Sequence, residues 1–226
     1  MNASQTVSPR GPYANTPRRK TEIVAAAAEI FSESGYHGGS LRQIARHLDL
    51  SFTSVKHHFP TKENLLIAVL EANDELELAQ VQSDEINVGF IDSAVSLAEH
   101  NLNHRWSVRL LAVLGAEATS PDHPAHQWFI DRYERIRGVI MQAITEDITA
   151  GRVPNGIDPR EVAAEIVGLW DGLQLQWLLD PEFDIIASLR RGFRAILVPG
   201  IDEMHAGTQQ EGVRVRGQAC DQSPGH

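Results

Sequence analysis

Apolar residues recur along this chain at the three- and four-residue spacing of α-helices, and nowhere with the alternation of a half-buried strand. Within residues 40–50, for example, Leu41, Ile44, Ala45 and Leu48 fall on one helical face. The predicted fold class is therefore all-α. We predict about nine helices, over residues 16–35, 40–48, 51–59, 61–85, 90–103, 105–119, 125–149, 159–179 and 184–197.

The second and third predicted helices are short and adjacent. Ser40 and Gln43 form a capping-box pattern at the start of one, Ser51 is a favourable N-cap for the other, and Asp49 and Leu50 form the turn between them. The spacing predicts that the later helix buries apolar side chains and presents polar and basic ones to solvent. The buried residues are Val55 and Phe59, and the outward ones are Thr53, Ser54, Lys56, His57 and His58. This pattern is typical of the helix-turn-helix module, whose second helix enters the major groove of DNA.

A further helix precedes this pair, beginning at Thr16 and Pro17 and ending near Gly35. Its first turn carries three cations, Arg18, Arg19 and Lys20. Each lies at the positive end of the helix dipole, where a cation is unfavourable by roughly 0.3 to 1 kcal/mol. This placement favours an external anion such as the DNA backbone as their partner. A solvated basic helix start is the alternative.

Several parts of residues 17–70 also occur in a characteristic order. They are an alanine-rich helix ending in Phe31, the Gly35-Tyr36 turn, the helix from Ser40 to Ala45, and His58-Phe59-Pro60 followed by Lys62 and Glu63. In this respect the segment resembles the N-terminal domain of the tetracycline-repressor (TetR) family of bacterial regulators. The resemblance implies a three-helix DNA-binding domain followed by a C-terminal helical domain for ligand binding and dimerisation.

Two residues depart from the family pattern. Asp49 occupies the turn position where the family usually has glycine; it can adopt a left-handed backbone at some cost, and it puts a negative charge near DNA. Lys56 stands where the recognition helix usually carries an aromatic residue, most often tyrosine. Because a lysine can still contact phosphate as a point charge, we expect DNA binding with an altered geometry and sequence preference.

The predicted DNA contacts combine the recognition helix, the two helix starts and the surrounding cations. They are Arg18, Arg19, Lys20, Ser40, Arg42, Gln43, Ser51, Thr53, Ser54, Lys56, His57, His58 and Lys62.

The charge of the chain is unevenly distributed. Residues 1–60 carry a net charge of +3, and the remaining residues carry −13, which gives the total of −10. An acidic body repels DNA and so orients the basic N-terminal region toward it. Cys220 is the only cysteine, so no intramolecular disulfide can form, and we find no apolar run of membrane-spanning length and no secretory signal. These features predict a cytoplasmic protein.

The composition divides the chain into four parts. Residues 1–15 and 199–226 lack periodicity and are predicted to be disordered tails, with Arg10 a candidate for a DNA-contacting arm as the alternative for the first. Residues 16–60 form the predicted helix-turn-helix domain, and residues 61–198 form the predicted ligand-binding and dimerisation domain.

The last two predicted helices are too apolar for the surface of a monomer. The simplest arrangement pairs them with the same helices of a second chain in a two-fold four-helix bundle, and a core within one chain is the alternative. The predicted dimer interface contains Leu169, Leu173, Leu178, Ile186, Leu189 and Phe193.

The aromatic residues of the body are candidates to line a pocket for a small molecule, since cavities in helical bundles lie between helices. The predicted ligand-binding residues are Trp106, Arg109, Trp128, Tyr133, Trp170, Gln174 and Trp177. Packing in the core is the alternative for each of them.

We predict no metal site, no cofactor and no enzymatic activity. The pairs His100 with His104 and His123 with His126 have spacings that can chelate a metal, but without a third ligand surface histidines are the better interpretation. The sequence also lacks a phosphate-binding glycine loop, a nucleophile elbow and an acid-base pair.

The predicted function is that of a homodimeric, sequence-specific transcriptional repressor, released from a palindromic DNA operator by a small-molecule effector. One alternative is an activator or a ligand-independent regulator of the same fold. Another is a helical interaction protein that has lost DNA binding.

Overall fold

The computed structural model describes residues 16–83 and 89–198, and its regular structure over these ranges is entirely α-helical. The described residues form nine helices: α1 (Thr16–Gly38), α2 (Leu41–His47), α3 (Phe52–His58), α4 (Lys62–Ser83), α5 (Phe90–Leu102), α6 (Arg105–Glu117), α7 (His126–Thr149), α8 (Pro159–Leu179) and α9 (Ile185–Leu197). The all-α prediction and its count of helices are confirmed. The tails predicted at residues 1–15 and 199–226 lie outside the described residues.

The helix starts follow from local capping residues. At α8 the Asp158 carboxylate accepts the backbone N–H of Arg160 at 2.8 Å, and Pro159 is the first helical residue. At α9 the Asp184 carboxylate accepts the N–H of Ala187 at 2.9 Å. Because these signals depend only on neighbouring residues, the sequence predicted both boundaries to within one residue.

Helix α1 changes direction at Gly35, whose φ of 68° and ψ of 179° are not helical. A side chain at this position would be strained by the positive φ, and its Cβ would overlap the carboxylate of Glu117 on α6. Glycine is therefore required at residue 35 for two independent reasons. The bend directs the chain toward α2 and brings the end of α1 against α6.

Two apolar clusters form the core. The first joins α1, α2, α3 and α4 to one face of α6 and the start of α7, and the second joins α5, α7, α8 and α9. Leu110 and Leu114 of α6 are fully buried in the first cluster beside Phe31 of α1. Helix α6 therefore completes the core of the N-terminal region, so the packing continues across the boundary predicted at residue 60.

The placement of α9 corrects part of the predicted dimer interface. Leu189 and Phe193 are fully buried within the single chain, because α9 turns its apolar stripe toward the second cluster. The side chains of Leu169, Leu173, Leu178 and Ile186 are only partly covered. Leu189 and Phe193 are thus core residues of one chain, and they are not available to a partner.

Candidate nucleic-acid interface

Two serine caps and a left-handed turn fix the geometry of α2 and α3. The Ser40 hydroxyl accepts the N–H of Gln43 at 3.2 Å, and the Ser51 hydroxyl accepts the N–H of Ser54 at 3.1 Å. Between the helices Asp49 has φ 53°, in the left-handed region that short polar residues tolerate at a cost of about 1 kcal/mol. This chain therefore makes the sharp turn without the glycine of the family pattern.

Anchoring of the two helices leaves one polar face in solvent. Ile44 and Ala45 of α2 and Val55 of α3 are buried, and Phe59 closes the C-terminal end of α3. Among the predicted contact residues on this face, those exposed are Ser40, Arg42, Ser51, Thr53, Lys56 and His57, and those partly exposed are Gln43, Ser54 and His58. The structure therefore brings these nine predicted DNA contacts onto the surface of one two-helix unit.

Phe52, which the sequence interpretation did not include, also lies on this surface. Its side chain is 38% exposed. The Arg42 guanidinium carbon lies 5.2 Å from the ring centroid, and Lys56 Nζ lies 5.9 Å from it. The signal that could have identified it is the spacing, since Phe52 precedes Lys56 by one helical turn on a face that is otherwise polar.

The basic first turn of α1 is partly neutralised by its own helix. Arg18 Nε lies 2.9 Å from Glu22 Oε1, and Arg19 Nη1 lies 2.8 Å from Glu22 Oε2. Exposed pairs of this kind contribute little to stability, so they leave both arginines available to phosphate. Lys20 is exposed, with Nζ 5.8 Å from the centroid of the Phe59 ring.

The first turn of α1 also lies close to the end of α3. Burial lowers the pKa of His58, and the positive charges of His57, Arg19 and Lys20 lower it further. Lys20 Nζ lies beside the ring of Phe59, which closes α3, so the cations of α1 lie next to the C-terminal end of α3.

Lys62 differs from the other predicted contacts. Its Nζ lies 4.0 Å from the centroid of the Tyr36 ring, and burial lowers the pKa of this lysine. The Tyr36 hydroxyl donates to Glu63 Oε1 at 2.9 Å. Lys62 thus packs at the junction between the N-terminal helices and the body of the protein.

Glu117 of α6 is the polar centre of this junction. Its Oε2 accepts the backbone N–H of Tyr36 at 2.6 Å, and the same oxygen lies 3.8 Å from Nε2 of His123. His123 is buried, so its predicted place on the surface is wrong. Its Nδ1 accepts the N–H of Ala125 at 3.2 Å, while Nε2 has no hydrogen-bond partner. Burial lowers the pKa of His123 despite the opposing charge of Glu117. The fold brings these groups together from positions far apart in the sequence, which is why the sequence interpretation missed the cluster.

The predicted ligand-binding residues are divided between the two apolar clusters. Trp128 and Tyr133 pack against the first, Trp170 and Trp177 belong to the second, and Gln174 is partly buried. Trp106 and Arg109 are exposed. Tyr133 donates a hydrogen bond to Asp171 at 2.7 Å, and burial together with this bond raises the pKa of Tyr133 to about 12. The structure does not gather the seven residues into one site.

A polar layer that the sequence did not reveal joins α4 to α6 and α7. Asn73 is buried, its Oδ1 accepts the Ser107 hydroxyl at 2.5 Å, and its Nδ2 has no partner. The adjacent Asp74 binds Arg132 at 2.8 Å and Arg135 at 2.7 Å. A buried amide donor without a partner costs free energy unless a water or a ligand satisfies it. The Asn73 amide is therefore a candidate group for effector recognition.

One face of α8 is open to solvent and apolar. Leu175 is 53% exposed and Leu179 is 80% exposed, and Gly168 and Gly172 have no neighbouring atoms where a side chain would lie. These four residues follow one another at three- and four-residue spacing and so form a single stripe. Small residues at one end and leucines at the other allow a second helix to approach closely.

Two candidate features lack support in the described residues. No group of three or more histidine, cysteine or acidic side chains is arranged to hold a metal ion in the part of the chain that the structure describes. Likewise, none of the helices within residues 16–83 and 89–198 is long and apolar enough to cross a membrane.

The fold and the α2–α3 surface define a helix-turn-helix DNA-binding protein. The sequence profile of bacterial regulatory proteins of the tetR family matches residues 23–69, and that of the BetI-type transcriptional repressor C-terminal domain matches residues 96–212. The chain belongs to the TetR family of transcriptional regulators.

Individual relatives support this assignment. The transcriptional repressor AcnR of Corynebacterium diphtheriae is 24% identical over 139 residues, which cover 62% of this chain and 70% of AcnR. A transcriptional regulator from Rhodococcus sp. Rha1 has a similar structure, with a TM-score of 0.66, 20% identity, and 78% and 95% of the two chains covered. The structure of the regulator FadR from Bacillus subtilis in complex with stearoyl-CoA has a TM-score of 0.59 and 19% identity, with 79% and 97% covered.

Proposed function

We propose that this protein is a cytoplasmic, homodimeric transcriptional repressor that leaves a palindromic operator when a small molecule binds its C-terminal body. The observation that carries the proposal is the exposed polar and basic face of α2 and α3 beside the cations of α1, which contrasts with the net negative charge of the rest of the chain. The BetI-type repressor profile and the repressor AcnR support the direction of regulation.

Each subunit would place α3 in the major groove, with two grooves about 34 to 36 Å apart occupied by the dimer. Thr53, Ser54, Lys56 and His57 of α3 would face base edges and nearby phosphates. Contacts to the backbone would come from Arg18, Arg19, Lys20, Ser40, Arg42, Gln43, Ser51 and His58. These backbone contacts release counterions, so the affinity must fall steeply with salt.

Dimerisation would use the open stripe of α8. Leu175 and Leu179 lose no intramolecular contact by joining a partner, and covering a leucine side chain stabilises the complex by about 1.5 to 3 kcal/mol. Leu169, Leu173, Leu178 and Ile186 are partly covered residues and would extend the interface.

The effector would bind between the two apolar clusters, near Asn73 and the pair formed by Tyr133 and Asp171. The unsatisfied Asn73 amide offers a hydrogen bond to an acceptor, and the centroid of the Trp128 ring lies 6.0 Å from the guanidinium carbon of Arg132, which binds the adjacent Asp74. The FadR complex with stearoyl-CoA shows that a protein with this fold holds a small molecule. The effect of effector binding would be transmitted to the DNA-binding helices through α4, which begins at Lys62, and through Glu117 at the end of α6.

DNase footprinting on the DNA that flanks its own gene tests the proposal, followed by fluorescence anisotropy on the protected fragment. We expect a two-fold symmetric footprint and a salt dependence that becomes shallower by about two units of log–log slope in Arg42→Ala, about one for each subunit of the dimer. Glu134→Ala on the exposed face of α7 is the matched control. Absence of salt-dependent binding to any flanking fragment would refute the proposal.

The effector is tested separately by thermal shift against a library of metabolites. A true effector raises the melting temperature of the free protein and lowers its affinity for the operator, because binding and release are thermodynamically linked. A compound that stabilises the protein but leaves operator affinity unchanged would contradict an effector role.

A further inference from the structure

Phe52 is an exposed aromatic residue on the surface that we assign to DNA. It is the first residue of α3 and follows the Ser51 cap directly, so its backbone position is fixed by that cap. With 38% of its surface in solvent, it is the large apolar side chain that α2 and α3 leave most accessible within the described residues.

Two cations from different helices hold the Phe52 ring. Arg42 reaches it from α2 at 5.2 Å, and Lys56 reaches it from the next turn of α3 at 5.9 Å. A cation above an aromatic face is attracted by the electron density of the ring. The ring is thereby restrained between two groups that can each contact a phosphate, and its remaining free surface faces solvent.

We infer that Phe52 is a specificity-determining residue that contacts the methyl group of a thymine in the operator. A phenyl ring has no hydrogen-bond donor or acceptor, and the thymine C5-methyl is the one apolar group that base edges present in the major groove. Arg42 and Lys56 contact the flanking phosphates and set the position of the ring. The inference rests on the proposed DNA-binding function.

This arrangement also gives a physical interpretation of Lys56, which stands where the family pattern has an aromatic residue. In the family pattern an aromatic residue occupies position 56, whereas this chain has its exposed phenyl ring one turn earlier and a lysine in the usual aromatic position. The ring therefore lies nearer the start of α3, the end of the recognition helix from which base edges are contacted.

Replacing single thymines of the footprinted operator by deoxyuridine tests the inference without changing the protein. Each replacement removes only the C5-methyl, and it is made at equivalent positions in both half-sites. We expect one position at which affinity falls about fourfold per half-site, or about 15-fold for the symmetric pair, as for the loss of one buried methyl group. At that position Phe52→Ser should bind thymine and uracil operators equally, while Phe52→Leu should retain part of the discrimination.

Leu102→Ser provides the matched control, because Leu102 is 37% exposed at the end of α5 and should leave the discrimination unchanged. Circular dichroism melting of each variant verifies that it is folded. The inference would be overturned if the wild-type protein bound every uracil operator as tightly as the thymine operator. It would also be overturned if Phe52→Ser lost as much affinity on replacement of thymine by uracil as the wild-type protein does. Either result would leave the proposed function intact. Failure of the wild-type protein to bind the thymine operator would instead overturn the proposed function.

Discussion

The junction at Glu117 offers the sharpest test of how the N-terminal helices are held on the body. Glu117→Ala removes the carboxylate that accepts the Tyr36 N–H at 2.6 Å and that faces the buried Nε2 of His123 at 3.8 Å. The substitution leaves the N–H of the buried Tyr36 without its acceptor and removes the negative charge that faces His123. Glu117→Gln keeps an oxygen acceptor of the same shape and removes the charge.

The magnitude follows from the bond that is lost. A hydrogen bond to a charged group contributes about 1.5 to 3 kcal/mol, and Tyr36 is buried, so its N–H cannot be fully compensated by solvent. We expect Glu117→Ala to lower the free energy of unfolding by about 2 to 3 kcal/mol. For a chain of this length this corresponds to a decrease in Tm of about 4 to 12 °C. Glu117→Gln should lose about half as much.

Differential scanning calorimetry and urea titration at one fixed protein concentration measure these differences, since the proposed dimerisation would make Tm dependent on concentration. Glu134→Ala, an exposed glutamate of α7, should change stability by less than about 0.5 kcal/mol. Operator affinity should also fall in Glu117→Ala, because the Tyr36 N–H fixes the end of α1 that leads into α2. A Glu117→Ala protein as stable as the Glu134→Ala control, or a glutamine variant that is no better than the alanine variant, would show that the reasoning is wrong.

Three further predictions concern other parts of the chain. Because the pKa of His123 is lowered in the folded state, the unfolded chain binds its proton more readily. In urea titrations, wild-type stability should therefore fall relative to His123→Gln as pH decreases below 6.5, and parallel pH profiles of the two proteins would contradict this. Leu179→Glu should convert the proposed dimer to monomer in analytical ultracentrifugation, while Val139→Glu at an exposed position of α7 should not. A dimeric Leu179→Glu protein would exclude the α8 stripe as the interface. Asp49→Gly should relieve the backbone strain at φ 53°, so the free energy of unfolding should rise by about 0.5 kcal/mol. The substitution also removes a negative charge near DNA, so operator affinity at low salt should increase. Unchanged affinity would show that this carboxylate lies away from the DNA.

The features that the sequence predicted well depend on neighbouring residues. The start of α8 follows from Asp158 and Pro159, and the turn at Asp49 follows from the family pattern around it. The polar surface of α3 follows from helical spacing alone, because burial of Val55 determines which residues point outward.

The features that it missed depend on contacts between distant residues. Leu189 belongs to a helix rich in apolar residues, and periodicity cannot tell which of its faces packs inside the chain and which is left for a partner. The pairing of Tyr36 with Glu117 joins positions 81 residues apart, and nothing near either residue indicates the other. His123 is buried by the same junction, so its environment could be known only after α1 and α6 were placed together.

The shared core of α1, α4 and α6 limits how freely the DNA-binding unit can be exchanged between regulators. A head grafted onto the body of another family member would meet a foreign α6 in place of the one that supplies Leu110, Leu114 and the Glu117 carboxylate beside Gly35. Engineered hybrids with new operator specificity should therefore transplant α6 together with the first four helices, or else restrict their changes to the solvent face of α3.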